Sequence, residues 1–261
     1  MEQQIRYDDG AAYERYMGTW SRLAGEIFLD WLVPRPGLRW IEVGCGTGAF
    51  TELLIRRCGP AEVQGIDPSE AQLVFARARP ATRMAQFHQG DAHTLAFPEH
   101  GFDAAVMALV IFFVPDPALG VAEMVRVVRP GGTVATYAWD LLGGGFPLEP
   151  IWAEMRAMGR NPPIPPSAEA SRMEALRSLW TDARLDAVET REITVWRTFA
   201  DFDEFWTTNL LAASIRPTIA AMDSDGVERL KTGVRARLPA DAEGRITCSA
   251  RANAVKGRVP E

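Results

Sequence analysis

The 261-residue sequence has only three histidines, at 88, 93 and 100, and three cysteines, at 45, 58 and 248. The cysteines have no zinc-ligand spacing and cannot all pair, which excludes a disulfide framework; a reducing, cytoplasmic setting is the simplest fit. No metal constellation is present, so the metal expectation is none. There is also no G-x-S-x-G elbow and no cysteine–histidine pair at a recognisable motif. The formal net charge is −6 and no Lys/Arg cluster breaks the acidic balance. No nucleic-acid partner is expected, because phosphate neutralisation dominates such binding. The opening Met-Glu-Gln-Gln-Ile-Arg has no apolar signal core. No uninterrupted apolar run approaches the ~20 residues of a membrane span, so no membrane partner is expected either.

What is present is a chain with 47% hydrophobic and 24% charged residues, enough for one sizeable domain with an appended cap. It is organised around Trp40-Ile41-Glu42-Val43-Gly44-Cys45-Gly46-Thr47-Gly48-Ala49, where an apolar run ends in an acid and a glycine-alternating turn follows. Residues 50–57 then space their apolar side chains as a helix does, so the stretch reads as strand, tight turn, helix. Glycines at 44, 46 and 48 permit positive φ and remove Cβ atoms that would hold a ligand off the backbone. Cys45 fills a place inside the turn that wants a small apolar side chain. Glu62–Asp67 reads as a second short strand ending in a carboxylate. Asp67 lies about twenty residues past the turn, where an acid can reach ribose hydroxyls. Ser69 with Gln72 forms a capping box for the next helix.

Two further segments follow in order. Gly90-Asp91-Ala92 leads to Leu95-Ala96-Phe97-Pro98 and to the apolar run Phe102–Ile111, and Arg129-Pro130-Gly131-Gly132 precedes the strand Thr133–Trp139. Pro130 should stop a helix and the two glycines supply a left-handed reversal.

The bare 44-46-49 pattern also fits the dinucleotide fingerprint G-x-G-x-x-G/A. The acid before the first glycine and the third glycine at 48 favour another family. E-V-G-C-G-T-G resembles motif I of the class I S-adenosylmethionine-dependent methyltransferases, of form D/E-x-G-x-G-x-G. The remaining three motifs are similar to that family's in the same order, over residues 35–140. The resemblance implies an α/β, Rossmann-like, doubly wound seven-stranded sheet with the last strand antiparallel, an N-terminal helical lid and C-terminal helical cap insertions. It also implies S-adenosyl-L-methionine as cofactor, bound through Glu42, Gly44, Cys45, Gly46 and Gly48. Asp67 should take both ribose hydroxyls and Pro68 should pack on the adenine. Asp91 should meet the adenine amino group and the amide of Ala92 the ring edge. Met107 should lie at the cofactor from the fourth strand, and Tyr16 and Arg22 should hold the methionine carboxylate.

Along the chain, residues 12–33 carry an amphipathic helix pattern interrupted at Gly18. Strands are expected near 39–43, 62–66, 85–88, 103–109 and 133–139, with helices near 49–58, 69–78 and 117–128. That alternation argues for a parallel sheet with helices on both faces and a ligand beyond the strands' carboxyl ends. Later come helices at 150–159 and 171–180, a strand at 187–199, helical stretches at 202–222 and 227–238, and a last strand at 244–255. The organisation expected is a lid (1–33), a cofactor-binding core (34–140) and cap segments plus final strands (141–261), all one domain.

Methyl transfer is an in-line displacement, so positioning and exclusion of water matter most. A base is needed only where the acceptor must lose a proton. His88 reads as a core residue in a strand, His93 as facing the cofactor and His100 as solvated. Many relatives in the resembled family carry two histidines after the fourth strand, where this sequence has Phe112 and Phe113. An apolar acceptor wall of Phe112 and Trp139 follows, with no assigned catalytic base. The acceptor expected is a small, partly apolar molecule, and the protein a monomer or homodimer. The competing readings are an NAD(P)-dependent oxidoreductase, which leaves Asp91 and the 129–132 turn unexplained, and a non-catalytic S-adenosylmethionine-binding protein.

Overall fold

The computed structural model describes residues 14–261. Tyr13 and the first part of the expected lid fall outside the described residues. The chain enters through a π turn, Glu14–Gly18, then alternates: α1 (Thr19–Leu32), β1 (Arg39–Val43), α2 (Ala49–Cys58), β2 (Glu62–Asp67), α3 (Glu70–Ala78), β3 (Ala85–Gln89), β4 (Phe102–Ala108), α4 (Pro117–Val127) and β5 (Val128–Trp139). The second half supplies α5 (Glu149–Ala157), α6 (Met173–Asp182), β6 (Asp186–Phe199), α7 (Phe202–Asn209), α8 (Arg216–Ala220), α9 (Ser224–Arg237) and β7 (Ile246–Arg258).

The seven strands form one sheet in the order β3-β2-β1-β4-β5-β7-β6. Neighbours among β1 to β5 pair in parallel, while β7 is antiparallel to both β5 and β6. β6 therefore runs with β5, and the carboxyl ends of every strand but β7 share one edge. Trp139, the last residue of β5, pairs with Ala252, which pairs in turn with Ile193. Beyond that level β6 and β7 continue alone as a two-stranded ribbon, Ile193–Phe199 against Ile246–Ala252.

Side chains explain where the helices begin. Ser69 caps α3 by accepting from the Gln72 amide, as the capping box predicts, and Asp116, Asp201 and Asp223 cap α4, α7 and α9 in the same way. Burial explains where they sit. Phe28 of α1, Phe50 of α2 and Tyr137 of β5 meet with ring centroids 4.6 to 6.1 Å apart, locking the first two helices to the sheet. Trp180 of α6, wholly buried, donates its indole N–H to the Val134 carbonyl at 2.9 Å and so packs the cap region against β5.

Three local expectations change. The reversal at Gly131, with φ of +70°, does not end a helix: α4 has already stopped at Val127, and the turn lies inside β5 opposite an irregularity at Phe102–Ala104. A Cβ at Gly132 would collide with Val128 and with the Asp103 and Arg129 carbonyls, so close backbone packing in the bulge is what demands a glycine there. The helical stretch 202–222 is two helices, because the chain tightens into i−3 bonds after Asn209 and Pro217 starts a new first turn at α8. His88 is not in the core. It lies exposed on the edge strand β3 with Nε2 2.6 Å from Gln64 Oε1.

Candidate active site

The turn after β1 carries three glycines with φ of +79°, +52° and +76° at 44, 46 and 48. Their neighbours show that they do different jobs. A Cβ on Gly44 would collide with the side chain of Val110, which follows β4, and one on Gly48 would press on Ala76 of α3 at 3.2 Å. Those two glycines serve packing. Only Gly46 faces open space, its nearest neighbour in that direction being Gln72 Oε1 at 4.0 Å. The amides of Gly44 and Cys45 both donate to the Ile66 carbonyl, at 2.7 and 2.9 Å, fixing the turn to the end of β2. Cys45 turns its thiol away from the opening, into a small cluster with Leu73, Ala76 and Phe87. Burial, with Glu42 and Asp67 nearby, raises that thiol's pKa well above its usual range.

Asp67 joins β2 to the turn. Its Oδ2 accepts from the Gly46 amide and its Oδ1 from the Ser69 amide, both at 2.9 Å. A carboxylate oxygen has two lone pairs, so each retains an acceptor position for a hydroxyl. Burial raises its pKa, and the two amide bonds oppose the rise. Glu42, one residue before the end of β1, is 1% exposed and accepts from Thr51 Oγ1 at 2.6 Å. Burial pushes its carboxyl up to about 8, against the Thr51 bond and with a further push from Asp67. It is held mostly protonated at neutral pH, beneath a turn whose ligand would carry positive charge.

Pro68, just after β2, and Asp91, just after β3, are exposed, and Ala92 is half-buried. Asp91 Oδ1 accepts from the His93 amide at 2.8 Å and lies 3.1 Å from His93 Nδ1. The Asp116 amide donates to His93 Nε2 at 3.1 Å, so the network assigns the ring proton to Nδ1. Both ring nitrogens are committed, and His93 ties the Asp91 loop to the start of α4 rather than offering a base. His100 is exposed, as expected, with Nδ1 3.1 Å from the Val128 carbonyl.

Met107 is wholly buried, its methyl directed at Gly120 of α4, and its carbonyl accepts from Thr136 Oγ1 at 2.7 Å. It supports the site from within the core. Phe112 and Trp139 are 3% and 2% exposed and belong to the same core. Tyr16 is buried at 3% exposed, and its carbonyl accepts from Arg197 at 3.0 Å. Arg22 pairs with Glu26 at 3.3 Å and lines a cleft of 290 Å³ shared with Glu14, Glu52, Arg56 and Arg79.

Sequence reading missed Glu14 and Arg79. Glu14 Oε1 accepts from Thr47 Oγ1 at 2.7 Å and pairs with Arg79 Nη2 at 2.5 Å, while Arg79 Nε donates to the Thr47 carbonyl at 2.6 Å. The entering π turn is thus clasped directly to the glycine turn. No local pattern marks the contact, since its partners come from three separate elements.

The glycine turn, Asp67 and Asp91, expected at a cofactor, therefore lie at the carboxyl ends of β1, β2 and β3. Among the described residues, no helix is long and apolar enough to cross a membrane, and no group of three or more His, Cys, Asp or Glu side chains could hold a metal ion.

Residues 41–136 match a family model described as a methyltransferase domain. A trans-aconitate 2-methyltransferase from Methylobacterium radiotolerans is 33% identical over 192 residues, covering 72% of this chain and 70% of the relative. A ubiquinone/menaquinone biosynthesis C-methyltransferase from Roseobacter denitrificans is 36% identical over 125 residues, covering 46% and 50%. Of several other curated relatives the chain spans only 27% to 53% of the length. Among solved structures, a phosphoethanolamine N-methyltransferase 2 from Haemonchus contortus superposes with a TM-score of 0.62 at 17% identity, over 99% of this chain and 59% of that one, which shows the shared fold. The extent of the trans-aconitate methyltransferase match, with the seven-stranded sheet and the Glu42–Gly48 turn, places this chain in the class I S-adenosylmethionine-dependent methyltransferase family, whose cofactor is S-adenosylmethionine.

Proposed function

We propose that the protein transfers the methyl group of S-adenosylmethionine to a small, partly apolar molecule. The observation that carries this reading is the convergence of Gly46, Asp67 and Asp91 at one edge of the sheet, with open space over Gly46 and acceptor positions remaining on Asp67. A sulfonium-bound methyl group supplies the electrophile. The chain's own residues bind and orient. Asp67 takes the ribose hydroxyls, Asp91 and the Ala92 amide the adenine edge, Pro68 its face, and the Gly44–Gly48 backbone the amino-acid end. Glu42 sits below the turn as a buried carboxyl that a nearby cation would ionise.

No histidine is positioned as a base, because His93 spends both nitrogens on Asp91 and Asp116. An acceptor that is already nucleophilic and loses no proton on transfer, such as a carboxylate, suits such a site. The names of the two curated relatives described above, trans-aconitate and quinone-pathway methyltransferases, support small-molecule acceptors. The test is a transfer screen with methyl-labelled S-adenosylmethionine over carboxylic acids, hydroquinones, amines and thiols. Transfer to one class supports the reading. S-adenosylhomocysteine binding without transfer to any class supports a non-catalytic binder instead.

A further inference from the structure

One charged side chain interrupts the buried stripe of β6. Ile193, Val195, Arg197 and Phe199 share a face, and the three apolar members are 1%, 3% and 1% exposed. The register carries this face across the sheet, since Ile193 pairs with Ala252 and Ala252 with Trp139. Arg197 therefore stands on the same face as Trp139, two strands over and four residues farther along, roughly 15 Å away by strand spacing and rise. It lies in the ribbon that continues past Trp139, where its guanidinium meets the entering π turn at Tyr16.

Its surroundings offset its charge only in part. Nη1 donates to the Tyr16 carbonyl at 3.0 Å, and the guanidinium lies 4.4 Å from the centroid of the Phe199 ring. Arg79, Arg126 and Arg251 all reach carboxylates, but among the described residues no carboxylate ion-pairs with Arg197. Glu204, which faces it from α7, accepts instead from the Ala200 amide at 2.5 Å. Cys248, opposite it on β7, is a buried thiol pushed up to about 12 and so carries no charge. Burial lowers the Arg197 pKa, and the Glu204 charge opposes that fall only in part. Of five N–H donors in a fixed fork, one is used among the described residues. A half-buried cation of this kind costs folding free energy unless something supplies the missing charge.

We propose that Arg197 receives an anionic oxygen group, a carboxylate or a phosphate ester, carried by the methyl acceptor. The proposal rests on the methyltransferase reading above. The planar fork suits bidentate recognition of such a group. The anion then serves as a handle on the acceptor, held apart from the atom that receives the methyl group.

The experiment saturates the protein with S-adenosylhomocysteine, verified by calorimetry, and then titrates octanoate, octyl phosphate and octanol. At least one anion should bind tenfold or more tightly than octanol, and the tighter of the two names the group. In Arg197→Met and Arg197→Lys that preference should vanish, while octanol and S-adenosylhomocysteine affinities hold and the thermal midpoint does not fall. Lysine keeps a charge and a donor for Tyr16, so its loss of preference reports the fork rather than packing. Equal binding of anions and alcohol, no binding of either anion, or a preference that survives in the variants overturns the proposal. Failure of S-adenosylhomocysteine to bind at the first step overturns the methyltransferase reading itself.

Discussion

Thr47, at the crown of the glycine turn, donates its hydroxyl to the Glu14 carboxylate 2.7 Å away, across 33 residues of sequence. Arg79 binds both partners, through Glu14 Oε1 and the Thr47 carbonyl. The clasp couples the entering segment to the backbone that would meet the cofactor. Thr47→Val keeps shape and removes the donor. Amide exchange over residues 14–22 should speed up, and S-adenosylhomocysteine affinity should fall by up to about tenfold, the equivalent of one hydrogen bond to a charged group. Unchanged exchange there would show that the clasp does not hold the segment.

Glu42 links stability to pH. Its folded pKa of about 8 lies above the 4.5 of the free side chain. The native state binds the extra proton between those values, so the contribution is complete below about 4.5 and is lost as pH rises through about 8. Glu42→Gln keeps the shape without the ionisation. Urea unfolding at pH 5.5 and 8.5 should show the variant gaining relative to the parent at the higher pH, by on the order of 3 kcal/mol. Parallel pH profiles for the two proteins would mean that Glu42 ionises freely in the fold.

Gly46 and Gly48 separate by what surrounds them. Gly48→Ala forces a Cβ into the left-handed region and against Ala76 at 3.2 Å, so it should cost about 2 kcal/mol or more of stability. Gly46→Ala meets only open space and should cost about 1 kcal/mol, while losing cofactor affinity more than tenfold. Denaturant midpoints and calorimetry on the pair check this. The reverse ranking of the two stabilities would contradict the assigned roles.

Much of this was legible in the sequence, and the reasons are specific. β1, the turn and α2 appear where the hydrophobic period switches from strand to helix around three glycines, a strong local signal. Every strand through β5 was found within a few residues for the same reason, except that β5 starts earlier, where the bulge at Gly131–Gly132 hides the continuity. The α7–α8 break was missed because apolar spacing continues through 210–215, although Pro217 marks a helix start. His88 was misplaced because a strand position alone does not say whether the strand is an edge. Glu14–Thr47 has no sequence signature, being a contact between elements. Arg197 did leave a trace, as the one charge in the alternating stripe Ile193, Val195, Phe199.

Asp67 offers a finer test than cofactor loss alone. It satisfies the Gly46 and Ser69 amides, so Asp67→Ala should also destabilise the ligand-free protein, by about 1–3 kcal/mol or a fall of several degrees in Tm. Asp67→Asn keeps one acceptor oxygen and should lie between the two. A ligand-free Tm unchanged in both variants would show that the carboxylate does not hold the turn.

The most direct measurement of the central claim is calorimetric titration of the parent protein and Asp67→Asn with S-adenosylhomocysteine and, separately, with NAD. The parent should bind one S-adenosylhomocysteine per chain, Asp67→Asn should bind it at least tenfold more weakly, and NAD should give no saturable heat. Saturable NAD binding with none for S-adenosylhomocysteine, or equal S-adenosylhomocysteine affinity in both proteins, would contradict the account.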